Sequence, residues 1–169
     1  ELGLGNSKNG QFFTPPEISL MMAQMIYGDQ FKDMKQPFMT LSEPACGAGG
    51  MVLAFVKVMI SQGHNPAQRL WVQCIDIDRL AAYMCFLQLT LWHIPAEVVV
   101  GNALSSEVRE VLHTPAHYMH GWDMRLHCQK AEELLINQSV EPSETAESIM
   151  PQTPSQTTQA KNLEFDFHF

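Results

Sequence analysis

The segment Phe38-Met39-Thr40-Leu41-Ser42-Glu43-Pro44-Ala45-Cys46-Gly47-Ala48-Gly49-Gly50 decides the fold. Phe38 to Leu41 reads as a short strand. It runs into a turn of small residues, and an apolar helical stretch follows from Met51 to about Ser61. A strand feeding a Gly-rich turn and then a helix lets the backbone approach a ligand at the strand's carboxyl end. Gly47-x-Gly49 stops short of the dinucleotide fingerprint, because Val52 stands where a third glycine is required.

The alternation continues downstream. Gly63 and Asn65-Pro66 end the first helix, and Leu70 to Ile75 is a second strand that closes on Asp76-Ile77-Asp78. A second helix spans Arg79 to about Trp92. Ile94-Pro95 breaks it, and Glu97 to Val100 is a third strand ending in Gly101-Asn102. Strand-helix-strand-helix-strand order predicts a parallel sheet with right-handed crossovers. Continuous apolar strands predict cover on both faces. The expected fold is therefore α/β, a three-layer sandwich.

Upstream, Gln11-Phe12-Phe13-Thr14 leads into Pro15-Pro16-Glu17. Thr14 is the expected N-cap of a helix, with Pro15 in its first turn and Glu17 completing a capping box. Ile18, Met21, Met22, Met25 and Ile26 give that helix an expected core face, and Gly28-Asp29 ends it. Downstream, Val108 to Leu112 reads as a fourth short strand or a helical turn. His113 to Cys128 has no clear period, and Ala131 to about Asn137 reads as helical. Ser139 to Lys161 is Ser, Thr, Gln, Pro and Glu with few apolar residues, a composition expected to be disordered.

The chain has 169 residues, 46% of them apolar and 17% charged, the composition of one ordinary globular domain. Its net charge is -8, and residues 131–169 supply seven acids against one lysine. A broad basic surface for gripping nucleic acid is therefore excluded, though a small basic cleft is not. No apolar run approaches the ~18 residues of a membrane span. The first residues, Glu-Leu-Gly-Leu-Gly-Asn, lack the basic and apolar regions of a secretory signal. They also lack an initiator Met, so a longer parent chain is expected. Cys46, Cys74, Cys85 and Cys128 contain no C-x-x-C pair and read as reduced thiols, mostly buried, in a cytoplasmic protein.

Three strand ends carry the chemistry. The Gly-rich turn offers backbone to a ligand. Asp76 can accept from both ribose hydroxyls of a nucleoside, each charge-assisted bond contributing about 1.5–3 kcal/mol. Asp78, directly before a helix, is the better N-cap. Asn102 can donate to and accept from an adenine edge, or simply hold a Gly-Asn turn. Together these ends define one crevice of the kind in which open α/β sheets bind ligands.

Gly10-Gln11-Phe12-Phe13-Thr14-Pro15, Ser42 to Gly50, Asp76-Ile77-Asp78 and Gly101-Asn102-Ala103-Leu104 resemble, in order and spacing, the N6-adenine DNA methyltransferases. The nearest group is the modification subunits of type I restriction systems. The resemblance implies a Rossmann-like methyltransferase sheet, cut off after its first three or four strands. It implies S-adenosylmethionine as cofactor and DNA as partner. The methionine part falls to Phe13, Thr14 and Pro15 and to the loop Glu43, Pro44, Ala45, Cys46, Gly47, Gly49 and Gly50. Asp76 takes the ribose, Ile77 packs on the adenine, and Asn102 reads the adenine amine. The domain boundaries on this reading are 1–130 for the cofactor-binding domain and 131–169 for the acidic tail.

The sequence departs from the family at its catalytic motif, Asn/Asp-Pro-Pro-Phe/Tyr after strand four, which holds and stacks a flipped adenine. The nearest substitute is Thr114-Pro115-Ala116-His117, which makes Thr114, Pro115 and His117 the candidate catalytic residues. Two readings follow. One is an adenine-N6 DNA methyltransferase. The other is an inactive remnant acting as an accessory or decoy subunit through protein contacts. A methyltransferase for another substrate is a weaker third.

His113, His117 and His120 have helical spacing, but Thr114-Pro115 argues against a continuous helix, and we read no metal site there. Met21, Met22 and Met25 read as core, as do Tyr83, Phe86, Leu87 and Leu91. Trp122 reads as a surface-loop anchor. The last residues, Leu163-Glu164-Phe165-Asp166-Phe167-His168-Phe169, alternate strictly. Such a peptide can add a strand to a protein partner or fill an apolar groove.

Overall fold

The computed structural model describes residues 14–29, 31 and 34–139, with side chains to residue 135. Strands β1 (Met39–Glu43), β2 (Leu70–Asp76), β3 (Ala96–Asn102) and β4 (Glu107–His113) form one sheet in that order. β1, β2 and β3 are parallel, with Leu41 opposite Val72 and Val72 opposite Ala96. The crossovers carry α2 (Gly50–Ser61), the single turn α3 (Pro66–Arg69) and α4 (Arg79–Leu91). Right-handed crossovers that step the same way across a sheet place their helices on one face. The core shared by Val52, Val56 and Met59 of α2, Cys85 and Leu89 of α4, and Val72, Cys74 and Val98 of the sheet shows that result. The α/β, Rossmann-like expectation holds, and its three strands and two helices fall within two residues of their expected bounds.

The other face of the sheet is covered more thinly. Among the described residues, α5 (Pro115–Met119) reaches it through His117, whose Nδ1 accepts from Nε1 of Trp71 at 3.0 Å. β4 is a strand, as one reading of Val108 to Leu112 has it, but it returns antiparallel on β3. The hairpin is kinked at a bulge between Val100 and Gly101. Glycine is required there, because a Cβ on Gly101 would lie 2.2 Å from the Glu107 carbonyl oxygen. In a doubly wound sheet the fourth strand instead joins the far side of β1. Among the described residues that edge of β1 has no strand partner.

The first helix, α1 (Pro16–Tyr27), corrects two expectations. Pro15, not Thr14, is its N-cap, and no side chain caps it. Pro16 drives Pro15 out of the helical region, to ψ 142°, so the helix starts one residue late and Glu17 cannot close a capping box. The helix also presents the opposite face to the core. Ser19 and Ala23 are buried, while Ile18, Met21, Met22, Met25 and Ile26 are exposed. Ser19, Ala23 and Tyr27 form an i, i+4 ridge of small side chains ending in a ring, and Tyr27 meets Phe55 of α2 edge-on at 4.7 Å. The two helices run side by side. Gly50 at the start of α2 lies near Ser19, and the Gln62 amide just past its end donates to the Gly28 carbonyl.

α4 follows the same rule. Ala81, Ala82, Cys85 and Leu89 are buried, Tyr83 and Phe86 are half-buried, and Leu87 and Leu91 are exposed rather than core. Trp122, expected on the surface, is fully buried at the start of α6 (Trp122–Ser139). It packs edge-on against Phe38 at 5.0 Å, with the Arg125 guanidinium 3.9 Å from its centroid. α6 runs unbroken through residues 130 and 131. Ser139 is its last residue, and the segment from residue 140, including the 163–169 peptide, lies outside the described residues. Among the described residues no helix is long and apolar enough to cross a membrane.

The orientation of α1 yields a test by thermal unfolding. Ala23→Leu should overpack the α1–α2 contact and cost about 1–3 kcal/mol. Met25→Gln, on the 78% exposed side, should change stability by less than about 0.5 kcal/mol. The reverse ranking would mean that the methionine face is the buried one.

Candidate functional site

The carboxyl ends of β1, β2 and β3 converge as the sequence predicts, and one carboxylate ties two of them together. Oδ2 of Asp76 accepts from the Gly47 amide at 2.7 Å, and Oδ1 accepts from the Asp78 amide at 2.8 Å. The Cys46 amide donates to the Ile75 carbonyl at 2.9 Å. The Gly-rich loop is thus laced to the end of β2 at two consecutive residues. Asp78 in turn caps α4, its Oδ1 accepting from Leu80 at 2.9 Å. Loop and α4 are joined again where the Gln88 amide donates to the Ala48 carbonyl at 2.5 Å.

Gly49 meets two demands that a larger residue fails. Its φ is +88°, and a Cβ there would approach Cys85 Sγ to 3.0 Å. As the N-cap of α2 it has no side chain to offer, so no side chain caps the first amides of α2. Such an end carries a positive partial charge suited to an anion. Ser19 lies beside this end. It is fully buried, its Oγ has no hydrogen-bond partner among the described residues, and a Cβ on Gly50 would sit 4.0 Å away. The α1–α2 packing therefore brings the beginning of α1, with exposed Thr14 and Pro15, towards the Gly-rich loop. Phe13 lies outside the described residues.

The remaining crevice residues sit as follows. Glu43 Oε1 accepts from the Ala45 amide at 3.3 Å, and Pro44 and Ala45 are exposed on the loop. Ile77 is 56% exposed beside Asp76. Asn102 adopts the turn role, its Oδ1 accepting from Leu104 at 3.0 Å and Ser105 at 3.4 Å. Its NH2 end takes no part in that turn. A cavity of about 280 Å³ opens beside Asn102 on the sheet face remote from α4, lined by Gln73, Ile75, Glu97, Val99 and Val111. Glu97 is buried in it, held by Gln73 Nε2 at 3.0 Å and His113 Nε2 at 3.1 Å.

Thr114, Pro115 and His117 do not enter the crevice. Thr114 is buried at the amino end of β3, where its hydroxyl donates to the Ile94 carbonyl at 2.7 Å and accepts from the Ala96 amide at 2.9 Å. Pro115 opens α5. His117 is buried against Trp71 at the start of β2, and its Nε2 pairs with Asp123 at 2.9 Å. All three stand at the opposite end of the strands from Gly47 and Asn102. Of the other histidines, His113 holds Glu97 with its ring 4.5 Å from that of His117, and His120 pairs with His93 at 3.0 Å.

One cluster escapes a sequence reading altogether. Cys46 of the loop, Cys74 of β2 and Cys85 of α4 are free and buried, with their sulfurs all within 4.8 Å of one another. Hydrogen bonds from Cys46 and then Cys74 pull the Cys85 thiol down to about 5, against burial and the Asp76 charge. Cys74 is pushed well up, first by its bond to Cys46, then by Cys85 and burial. At Cys46 the bond with Cys74 lowers the thiol, but the bond to Cys85, burial and the neighbouring charges outweigh it and leave it raised.

A Gly-rich loop, an acid on the next strand and an open helix end define an α/β ligand crevice at strand carboxyl ends. The family model described as N-6 DNA Methylase matches residues 4–157, and the chain belongs to that family. It is a methyltransferase family. No curated protein matches the chain. Among solved structures, one from Listeria monocytogenes, titled as a class I S-adenosylmethionine-dependent methyltransferase, is similar over 55% of this chain at 18% identity, with a TM-score of 0.42. The chain covers 27% of that structure's length.

The placement of Thr114 predicts a purely structural role. Thr114→Val should lose two buried hydrogen bonds and about 1–3 kcal/mol of stability, read by denaturant unfolding. Ligand affinity at the crevice should stay within twofold. A selective loss of affinity in a stably folded variant would return Thr114 to the site.

Proposed function

We propose that the chain binds S-adenosylmethionine in this crevice and is the cofactor-holding part of an adenine-N6 DNA methyltransferase of the type I modification-subunit kind. The observation that carries the proposal is the joint placement of three features at one strand end. They are an α2 terminus that no side chain caps, buried Ser19, whose Oγ has no hydrogen-bond partner among the described residues, and the Asp76-pinned loop.

The residues fit the cofactor's parts. The first amides of α2, with Ser19 beside them, suit the methionine carboxylate, an anion at a helix N-terminus. Asp76 spends one acceptor site of Oδ2 on the Gly47 amide of the loop and one of Oδ1 on the Asp78 amide, and keeps the others for ribose hydroxyls. Ile77 offers an exposed apolar side chain to the adenine face. Asn102 offers its NH2 group to the adenine edge while its oxygen is held by the turn. When bound, the cofactor supplies an electrophilic methyl group on a sulfonium. The protein's own share is to bind and orient it, with the loop held in place before binding.

A specific observation favours the second reading, an accessory subunit that works through protein contacts. Among the described residues of the crevice none supplies an aromatic ring to stack on a flipped adenine. The carboxamide of Asn102 is already committed, its oxygen to the turn and its NH2 group to the cofactor on the first reading. The edge of β1, where a doubly wound sheet adds its next strand, has no strand partner among the described residues. On that reading a partner chain, paired at this edge, brings the catalytic group.

Calorimetric titration with S-adenosylmethionine and its demethylated product tests the first reading. Binding is expected, and Asp76→Asn should weaken it at least about tenfold, or roughly 1.4 kcal/mol. Absence of heat at millimolar cofactor would overturn it. A methyl-transfer assay on adenine-containing DNA then separates the two readings. Transfer by the chain alone overturns the accessory role, and intact cofactor binding without transfer supports it.

A further inference from the structure

Cys46, Cys74 and Cys85 come from a loop, a strand and a helix, so no spacing in the sequence announces them. Their sulfurs nonetheless lie within 4.8 Å of one another in the buried core. With metal–sulfur bonds of about 2.3 Å, the sulfurs of a three-coordinate site are about 4 Å apart. The three thiols are therefore close to ligating geometry without a backbone rearrangement.

The donor set selects the ion. Sulfur ligands favour soft cations over Mg(II) or Ca(II), which require oxygen and water. The three thiols belong to the same apolar core as Val52, Leu89 and Val98, which withholds water from a hard ion. Both oxygens of the nearest carboxylate, Asp76, are already held by backbone amides at 2.7 and 2.8 Å. The set is thus three sulfurs, suited to trigonal coordination.

We propose that Cys46, Cys74 and Cys85 form a three-thiolate site for a soft, thiophilic divalent d10 cation, set directly behind the Gly-rich loop. Binding forms three metal–sulfur bonds, releases the thiol protons to solvent and transfers no electrons. Cys46 belongs to the loop, and Cys85 Sγ is the atom that a Cβ on Gly49 would strike at 3.0 Å. An ion there cross-links the loop, β2 and α4. The site stands whether or not the crevice takes S-adenosylmethionine.

Cd(II) is the probe, titrated into the full chain under anaerobic, thiol-free reducing conditions. Cys128 is exposed and is first replaced by Ser, so that it cannot contribute. The expected result is an ultraviolet thiolate-to-cadmium charge-transfer band that saturates at one ion per chain. The unfolding temperature should rise, and the three thiols should become protected from alkylation. Cys85→Ser should weaken binding by more than the roughly 10–100-fold that loss of an outer-shell partner costs a metal site. Should that variant fail to fold, stoichiometry and alkylation protection in the Cys128→Ser chain decide alone. Absence of the band at millimolar Cd(II), or a band unchanged by a folded Cys85→Ser variant, would show three thiols packed as small apolar side chains.

Discussion

The carboxylate of Asp76 fixes two turns at once. One oxygen holds the Gly47 amide and the other the Asp78 amide, so the loop after β1 and the turn after β2 share a single anchor. Charge-assisted bonds to backbone amides are among the stronger ones, at about 1.5–3 kcal/mol each. The anchor matters because the loop contains residues at φ +52° and +88°, conformations that local propensity does not hold. With Gly47 pinned, Gly49 can turn the chain into α2 and leave its first amides uncapped. With Asp78 pinned, its own side chain is free to cap α4. The crevice is thus built before any ligand arrives, and the residue proposed to take the ribose also sets the loop.

The strands and the crevice were legible in the sequence because their signals are local. Leu70 to Ile75 and Glu97 to Val100 are apolar runs between turn residues, and Asp76, Asp78 and Asn102 stand directly at their ends. The helix faces were not legible, for a reason that periodicity hides. Helices that approach closely bury small residues, and the close faces here are Ser19-Ala23 and Ala81-Ala82-Cys85. The large apolar residues that dominate a helical pattern fall on the outer sides, where Met25 and Leu91 are exposed. Side-chain size, rather than hydrophobicity, decided which side of α1 faces α2. The thiol cluster was invisible for a different reason, since it depends on three elements meeting in space.

The direction of β4 decides the fate of the catalytic candidates. A seven-residue strand spans about 24 Å at roughly 3.4 Å per residue. The chain leaves β3 at the crevice end and turns at once, with Asn102 Oδ1 holding the hairpin and Ser106 at φ +57°. β4 then carries it antiparallel back to the amino ends of the strands. Thr114 and His117 arrive there and become core residues, tied to Ile94, Ala96 and Trp71. Had β4 run parallel beside β1, the same residues would have emerged over Gly47. The sequence offered Gly101-Asn102 as a turn signal, but a Gly-Asn pair marks a turn without stating which strand the chain rejoins.

The sheet is consequently one-sided at the place where chemistry would occur. Open α/β sheets bind ligands where the strand order reverses, between the first strand and the one added on its far side. Here β1, β2 and β3 supply the side of that point that carries the Gly-rich loop and Asp76, and β4 closes the opposite edge of the sheet. The reacting side would lie along the edge of β1 that has no strand partner among the described residues, next to the Gly-rich loop. A short strand edge with unmatched amides and carbonyls favours pairing with another strand. That tendency and the lack, among the described residues of the crevice, of an aromatic ring for a flipped base point to the same location. A strand joining β1 would bring whatever follows its carboxyl end directly over Gly47, so completing the sheet and completing the active site are the same structural event.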